Sequence, residues 1–154
     1  MRAASTMTRD VVCVPTELPL RRAWELMQQM RVRHLPVVSN GALVGVLSDR
    51  DLLLRSATDL KGRVVVGDGV VGEAMALEPR VCHPSTSVSA LAQTMIDHKI
   101  DALPVVSEAD LKRVVGLVTS TDLLWLLIDA ANVNALPIDF NLHAASKEGE
   151  LMAA

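Results

Sequence analysis

Aromatic side chains are nearly missing from this chain: two Trp, one Phe and no Tyr in 154 residues. A stacking platform for single-stranded nucleic acid needs a row of them, so that class is excluded. The core must be assembled from Val, Leu, Ile, Ala and the seven Met. Cysteine is equally scarce, and Cys13 and Cys82 are too few to staple a small secreted domain. They read as small buried hydrophobes. No apolar run is longer than 123–128, far short of the roughly 20 residues that cross a bilayer. The opening Met1-Arg2-Ala3-Ala4-Ser5-Thr6 lacks the apolar stretch of a secretory leader, so a cytoplasmic protein without a membrane partner is expected. A basic field is missing too. The formal net charge is −3, which argues against DNA or RNA as partner. Residues 1–68 hold ten Lys/Arg against seven Asp/Glu, and residues 69–154 hold five against eleven.

Catalytic signatures are absent as well. No Gly-x-Ser-x-Gly, P-loop or dinucleotide-binding glycine pattern occurs. The four His, at 34, 83, 98 and 143, show no metal-ligand spacing. Neither an enzyme nor a metal site is expected.

What is present is a repeat. Leu35-Pro36-Val37-Val38-Ser39 returns 68 residues later as Leu103-Pro104-Val105-Val106-Ser107. Gly45-Val46-Leu47-Ser48, then Asp51-Leu52-Leu53, returns 71 residues later as Gly116-Leu117-Val118-Thr119, then Asp122-Leu123-Leu124. The loop 108–113 is therefore three residues longer than its counterpart. Val12-Cys13-Val14-Pro15 matches Val81-Cys82-His83-Pro84. Three blocks in the same order are not chance.

Each unit has one grammar. A short strand, 11–14 or 81–83, stops at a proline that cannot donate to a ladder. A helix follows with Leu20, Ala23, Trp24 and Met27, or Val88, Leu91, Ala92 and Met95, on one face. Two β-rich runs, 35–39 and 42–47, meet at Asn40-Gly41, a strong hairpin signal. A second helix opens at Ser48 or Thr119. The order β-α-β-β-α, twice, predicts an α+β fold, with repeats at 1–56 and 71–131, a linker at 57–70 and a tail at 132–154. Lys61-Gly62 and Gly67-Asp68-Gly69 frame a short strand at Val64–Val66.

These units resemble a pair of CBS (cystathionine β-synthase) domains forming one Bateman module with pseudo-two-fold symmetry. The resemblance rests on Ser5-Thr6-Met7-Thr8 and Glu73-Ala74-Met75, the two Leu-Pro-Val-Val runs, and the Gly-apolar-apolar-Ser/Thr-x-x-Asp blocks. It spans residues 5–128. It implies a regulatory module of the stand-alone type that binds AMP, ADP, ATP, a dinucleotide or S-adenosylmethionine between the repeats and pairs into a homodimer.

Ser48-Asp49-Arg50-Asp51 and Thr119-Ser120-Thr121-Asp122 carry the candidate chemistry. A hydroxyl followed three residues later by an acid caps a helix. The same geometry offers free amides to a phosphate, and a carboxylate can hold both hydroxyls of a ribose. The resemblance places Arg33 and His34 of the first unit, and Asp101 and Ala102 of the second, beside the phosphates of their own unit's ligand. An Arg fork is the better phosphate partner, and Arg50 adds charge. Asp101 repels a phosphate, with Lys99 too far along the chain to compensate. The Asp51 site is therefore expected to take the phosphate, and the Asp122 site to be weaker, empty, or selective for an uncharged or cationic adenosyl compound. The resemblance also implies an apolar slot for the base: Val81 and Cys82 for Asp51; Val11, Val12 and Cys13 for Asp122; with Leu35, Pro36, Leu103 and Pro104 as further candidates. The helix 122–131 is apolar nearly all round, which suits a homodimer. The expected partners are an adenosine-containing small molecule, a second copy and an effector protein. The alternative is a ligand-independent dimerisation scaffold in which the motifs only cap helices.

Overall fold

The computed structural model describes residues 1–132. The tail expected over 132–154 lies, past its first residue, outside the described residues.

After a 3-10 turn at Ala3–Ser5, strand β1 (Val14–Pro15) runs parallel to β2 (His34–Ser39). It ends at Pro15, which has no N–H to continue a ladder. Between them, α1 (Leu20–Met30) buries Leu20, Ala23 and Met27 along one stripe. β2 pairs antiparallel with β3 (Ala42–Ser48). Their turn residues Asn40 and Gly41 both have positive φ, 50° and 76°, the type I′ sign pattern whose twist matches the strands. α2 (Asp49–Leu53) closes the unit.

The linker is itself ordered. β4 (Ser56–Thr58) pairs antiparallel with β5 (Val64–Val66), the strand read from the sequence. The Asp59 carboxylate accepts from the backbone N–H of Lys61 and Arg63 and from the Arg63 guanidinium at 2.8–2.9 Å. α3 (Val71–Ala74) and β6 (Ala76–Leu77) follow.

The second unit repeats the plan with α4 (Val88–His98), β7 (Ala102–Val106), β8 (Val114–Thr119) and α5 (Ser120–Asn132). The strand expected at 81–83 is reduced to one parallel bridge, Cys82 to Val105. Pro79 and Pro84 flank it, and neither can donate to a ladder. The longer loop 108–113 reaches back to the first unit, where the Leu43 N–H donates to the Lys112 carbonyl at 2.8 Å.

The repeats are interlocked. β6 follows the linker, yet it pairs with β3 and completes the first sheet, order β1-β2-β3-β6. Conversely, Thr8 forms an antiparallel bridge to Leu117 on β8. The cores follow suit. Val66 and Val71 lie in the cluster with Leu20, Leu35 and Leu47, while Ala3 and Met7 lie in the cluster with Leu91, Leu103 and Val118. Each repeat lends its leading residues to the other's core. This crossing explains the glycine in each Gly-apolar-apolar block. A Cβ on Gly45 would sit 2.5 Å from Met75 Sδ and 2.9 Å from the Ala76 carbonyl. On Gly116 it would sit 2.7 Å from Met7 Sδ and 3.0 Å from the Thr8 carbonyl. Only glycine lets the crossing segment lie so close. Among the described residues no helix is long and apolar enough to cross a membrane.

Candidate functional site

The two hydroxyl-x-x-carboxylate turns are superimposable in their bonding. Asp51 Oδ2 accepts the Ser48 backbone N–H and the Ser48 hydroxyl, both at 2.7 Å, and the Asp51 N–H returns a bond to Ser48 Oγ at 3.2 Å. Asp122 Oδ2 accepts the Thr119 N–H and hydroxyl at 2.7 and 2.8 Å, and the Asp122 N–H reaches Thr119 Oγ1 at 3.3 Å. Each is a capping box built on aspartate. Each Oδ1 takes no hydrogen bond to Ser48 or Thr119, and this second oxygen is the one left for a ligand hydroxyl.

The expectation of groups open to a phosphate at this turn fails. The hydroxyl proton is committed to the carboxylate, so neither Ser48 nor Thr119 has a donor left for a phosphate. Nor does α2 present free amides. The Asp49 N–H donates to the Arg33 carbonyl at 2.9 Å, the Arg50 N–H to Asp49 Oδ1 at 2.9 Å, and the Asp51 N–H to Ser48. At α5 the Ser120 N–H likewise donates to the Asp101 carbonyl at 2.9 Å. Satisfying orphan amides inside the protein is what keeps such short turns stable, and it leaves side-chain cations as the groups open to an anion.

A cleft opens beside each turn. The Asp51 cleft is about 480 Å³ and the Asp122 cleft about 280 Å³. Both are built across the repeats: the turn comes from one repeat, and the helix-to-strand corner and leading segment come from the other. Residues 98–102 and 76–80 face Asp51, and residues 30–35 and 8–12, apart from Arg9, face Asp122. Lys99 therefore lines the Asp51 cleft, a place the sequence reading did not give it, and is not among the residues lining the Asp122 cleft, where it was expected not to compensate Asp101. Arg31, its counterpart, lines the Asp122 cleft. Both are the left-handed C-cap residues of their helices, each with φ 53°. Glu78, with φ 46°, is also on the Asp51 rim. Holding a side chain in that conformation costs about 1 kcal/mol, and of the four non-glycine residues that do so among the described residues, three line a cleft.

Arg33, His34 and Asp101 were assigned to separate sites by the sequence; in the fold all three line both clefts. Arg33 Nε donates to Asp49 Oδ2 at 2.9 Å, and this bond and the Asp49 charge raise its pKa. Burial lowers the pKa of His34, against the smaller opposing pull of the Asp49 and Asp101 carboxylates. The Asp51 cleft is lined by Arg33, Arg50, Arg80 and Lys99 against four carboxylates, of which Asp49 is paired with Arg33 and Asp51 is engaged in its cap. The Asp122 cleft sets Arg31 and Arg33 against Asp10, Asp101 and Asp122. Cations and carboxylates are equal in number around the Asp51 cleft, whereas carboxylates outnumber cations around the Asp122 cleft.

Of the apolar candidates, Val11, Val12 and Leu35 line the Asp122 cleft. Val81, Cys82, Pro36, Leu103, Pro104 and Cys13 line neither described cleft. Cys82 and Leu103 are buried in the second core, and burial pushes the Cys82 thiol up to about 11. Pro36 and Pro104 are buried inside their strands. Val81 lies one residue past the segment 76–80 that follows the Asp51 cleft. The sequence reading also missed Lys99, Arg31, Arg80, Glu78 and Trp125. A signal for the first two was present: each is basic and stands four residues before a Leu-Pro pair. Among the described residues no cluster of His, Cys, Asp or Glu is arranged to hold a metal ion.

A duplicated α+β unit whose two halves exchange leading segments and enclose two equivalent clefts defines a paired-repeat module. The chain belongs to the CBS domain family, whose model matches residues 3–58 and 66–129. It is 38% identical over 112 residues to the CBS domain-containing protein YhcV of Bacillus subtilis, covering 73% of this chain and 77% of that one. The structure of CBSX2 from Arabidopsis thaliana in complex with AMP matches with TM-score 0.70 at 27% identity, over 84% of this chain and 98% of that one. The cytosolic domain of the Mg2+ channel MgtE in complex with ATP matches with TM-score 0.65 at 27% identity, over 81% of this chain and 48% of that one. In a longer relative, the inosine-5′-monophosphate dehydrogenase of Korarchaeum cryptofilum, the match is 31% identical over 124 residues, which is 80% of this chain but 24% of the enzyme's length.

Proposed function

We propose that this chain is a regulatory module that binds an adenine nucleotide in the clefts between its CBS repeats and passes occupancy on to a partner protein. The observation that carries the reading is the construction of each cleft from both repeats. A ligand gripping Asp51 through its ribose and Lys99 and Arg80 through its phosphate touches both repeats at once. Binding then favours one arrangement of the repeats over another, which a partner can read. Similar proteins in complex with AMP and with ATP support the ligand class. The cation balance supports the Asp51 cleft as the phosphate-bearing one, leaving the Asp122 cleft for a less anionic adenosyl compound. The match to an enzyme over only its CBS-sized portion supports a binding rather than a catalytic role.

Pairing with a second copy fits the same picture. Leu124, Trp125 and Ile128 on α5 are 58%, 58% and 50% exposed, a surface that a second chain could cover.

Thermal unfolding with AMP, ADP, ATP and S-adenosylmethionine at millimolar concentration tests the proposal. A ligand held at about 100 times its Kd stabilises the folded state by roughly 2.7 kcal/mol, so the melting temperature should rise by several degrees with AMP. Asp51→Ala should remove that rise and Asp122→Ala should leave most of it. No shift with any adenosyl compound would reject the binding role. That outcome would favour the scaffold reading, for which the capping bonds at Ser48 and Thr119 suffice.

A further inference from the structure

Arg33 stands where the two clefts meet. It lines both, as do His34 and Asp101. The side chain is 66% exposed and is held by the single carboxylate of Asp49, so a ligand phosphate on either side can draw the guanidinium away. Among the described residues the remainder of the shared wall holds no second permanent cation. Its other charged groups are Asp101 in both clefts and Asp49 in the Asp51 cleft, with His34 kept toward its neutral form by burial. Cations that belong to one cleft alone are Arg50, Arg80 and Lys99 on the Asp51 side and Arg31 on the other. One guanidinium cannot make bidentate bonds to two phosphates on opposite sides of a wall.

We infer that Arg33 is a shared phosphate partner that couples the clefts negatively, so that a phosphate-bearing ligand in the Asp51 cleft weakens a second one in the Asp122 cleft. The inference rests on the binding proposed above and adds how the two clefts influence each other. Coupling of this kind is reciprocal by thermodynamic necessity. It acts on the charge of the ligand, not on its adenosine portion. A phosphate in the Asp51 cleft leaves the Asp122 cleft with Arg31 as its only free cation among the described residues, facing Asp10, Asp101 and Asp122. An uncharged nucleoside makes no demand on Arg33 and binds the second cleft undisturbed. The module would thus hold a nucleotide and an uncharged adenosyl compound together more readily than two nucleotides.

The test is calorimetric titration of the full chain with AMP and, separately, with adenosine. Asp122→Ala and Asp51→Ala supply the intrinsic AMP affinity of the remaining cleft. The product of the two stepwise association constants of the wild type should fall about tenfold below the product of the two intrinsic constants. With adenosine the two products should agree within twofold. Arg33→Met should remove the tenfold shortfall, and Arg33→Lys should restore part of it. Saturation at one AMP per chain, with the second cleft still accepting adenosine, is the strong form of the same result when Asp51→Ala binds AMP in the Asp122 cleft; an Asp51→Ala chain that takes adenosine but no AMP overturns the coupling, because that cleft then refuses phosphate unaided. Equal products for AMP overturn the coupling while leaving the binding proposal intact, as does a shortfall that survives Arg33→Met. The same holds if AMP and adenosine both stop at one molecule per chain. Failure of both probes to bind wild type or variants overturns the binding proposal and the coupling with it.

Discussion

The Asp51 and Asp122 clefts place the same capped carboxylate opposite the same helix-to-strand corner, yet four cations line the first and two the second. The shared part is made by local bonding: the capping box, the bond from Asp49 or Ser120 N–H to the corner carbonyl of its own repeat, and the left-handed C-cap at Arg31 or Lys99. The divergent part is made by side chains that reach past this frame. Arg50 stands where the twin turn has Thr121, Arg80 stands in the second leading segment, and Trp125 takes the position of Leu54. Duplication thus preserves the capped carboxylate and leaves the charge around it free to vary. Selectivity between two ligands needs little more than that.

The comparison can be broken at its base by attacking the cores. Leu35 and Leu103 occupy matched positions and are both fully buried. Leu35→Ala and Leu103→Ala should each cost about 3 kcal/mol, measured by urea denaturation. Because each repeat contributes to the other's core, both variants should still unfold in one transition. Two separable transitions would show that the repeats are energetically independent despite their exchange.

A smaller effect separates the crossing points. Gly45→Ala and Gly116→Ala should each cost about 1–3 kcal/mol through overpacking, with Gly45 the more sensitive because both its neighbours lie closer. A neutral Gly45→Ala would mean that Met75 and β6 can yield, and that the exchange is looser than its geometry.

The smallest effect is confined to the first repeat, since Ala102 stands where His34 does. The His34 pKa is lowered by burial in the folded chain, so below about 6.5 the unfolded chain takes up the proton more readily. Stability from this group is complete above that pH, declines as the pH falls, and levels off once the folded form is protonated as well. His34→Asn should flatten the loss of melting temperature between pH 7 and 5 relative to wild type. Identical slopes would place the acid sensitivity elsewhere.

Much of this architecture was legible in local sequence. Asn40-Gly41 announced a hairpin because few residues accept positive φ twice in succession. The buried stripe of α1 followed from residues spaced three and four apart. The turns at Ser48 and Thr119 followed from capping chemistry, which is also local. What misled was the assumption that a cleft belongs to the repeat that carries its aspartate. On that basis Arg33 and His34 were given to the Asp51 site alone, whereas Val81 and Cys82, correctly sought in the opposite repeat, fall just past the segment 76–80 that lines the cleft. The free amides expected at the start of α2 proved to be spoken for by Arg33, Asp49 and Ser48.

From the sequence alone came the duplication, the element order of each unit, the helix caps and the identity of the paired carboxylates, because each depends on residues within a few positions of one another. The tertiary structure alone decided which corner faces which turn, which cations share a cleft, and why Gly45 and Gly116 are glycine. These depend on the crossing of the leading segments between sheets, a pairing of residues far apart in the chain. Periodicity carries no record of such a pairing, because either sheet could satisfy the same strand.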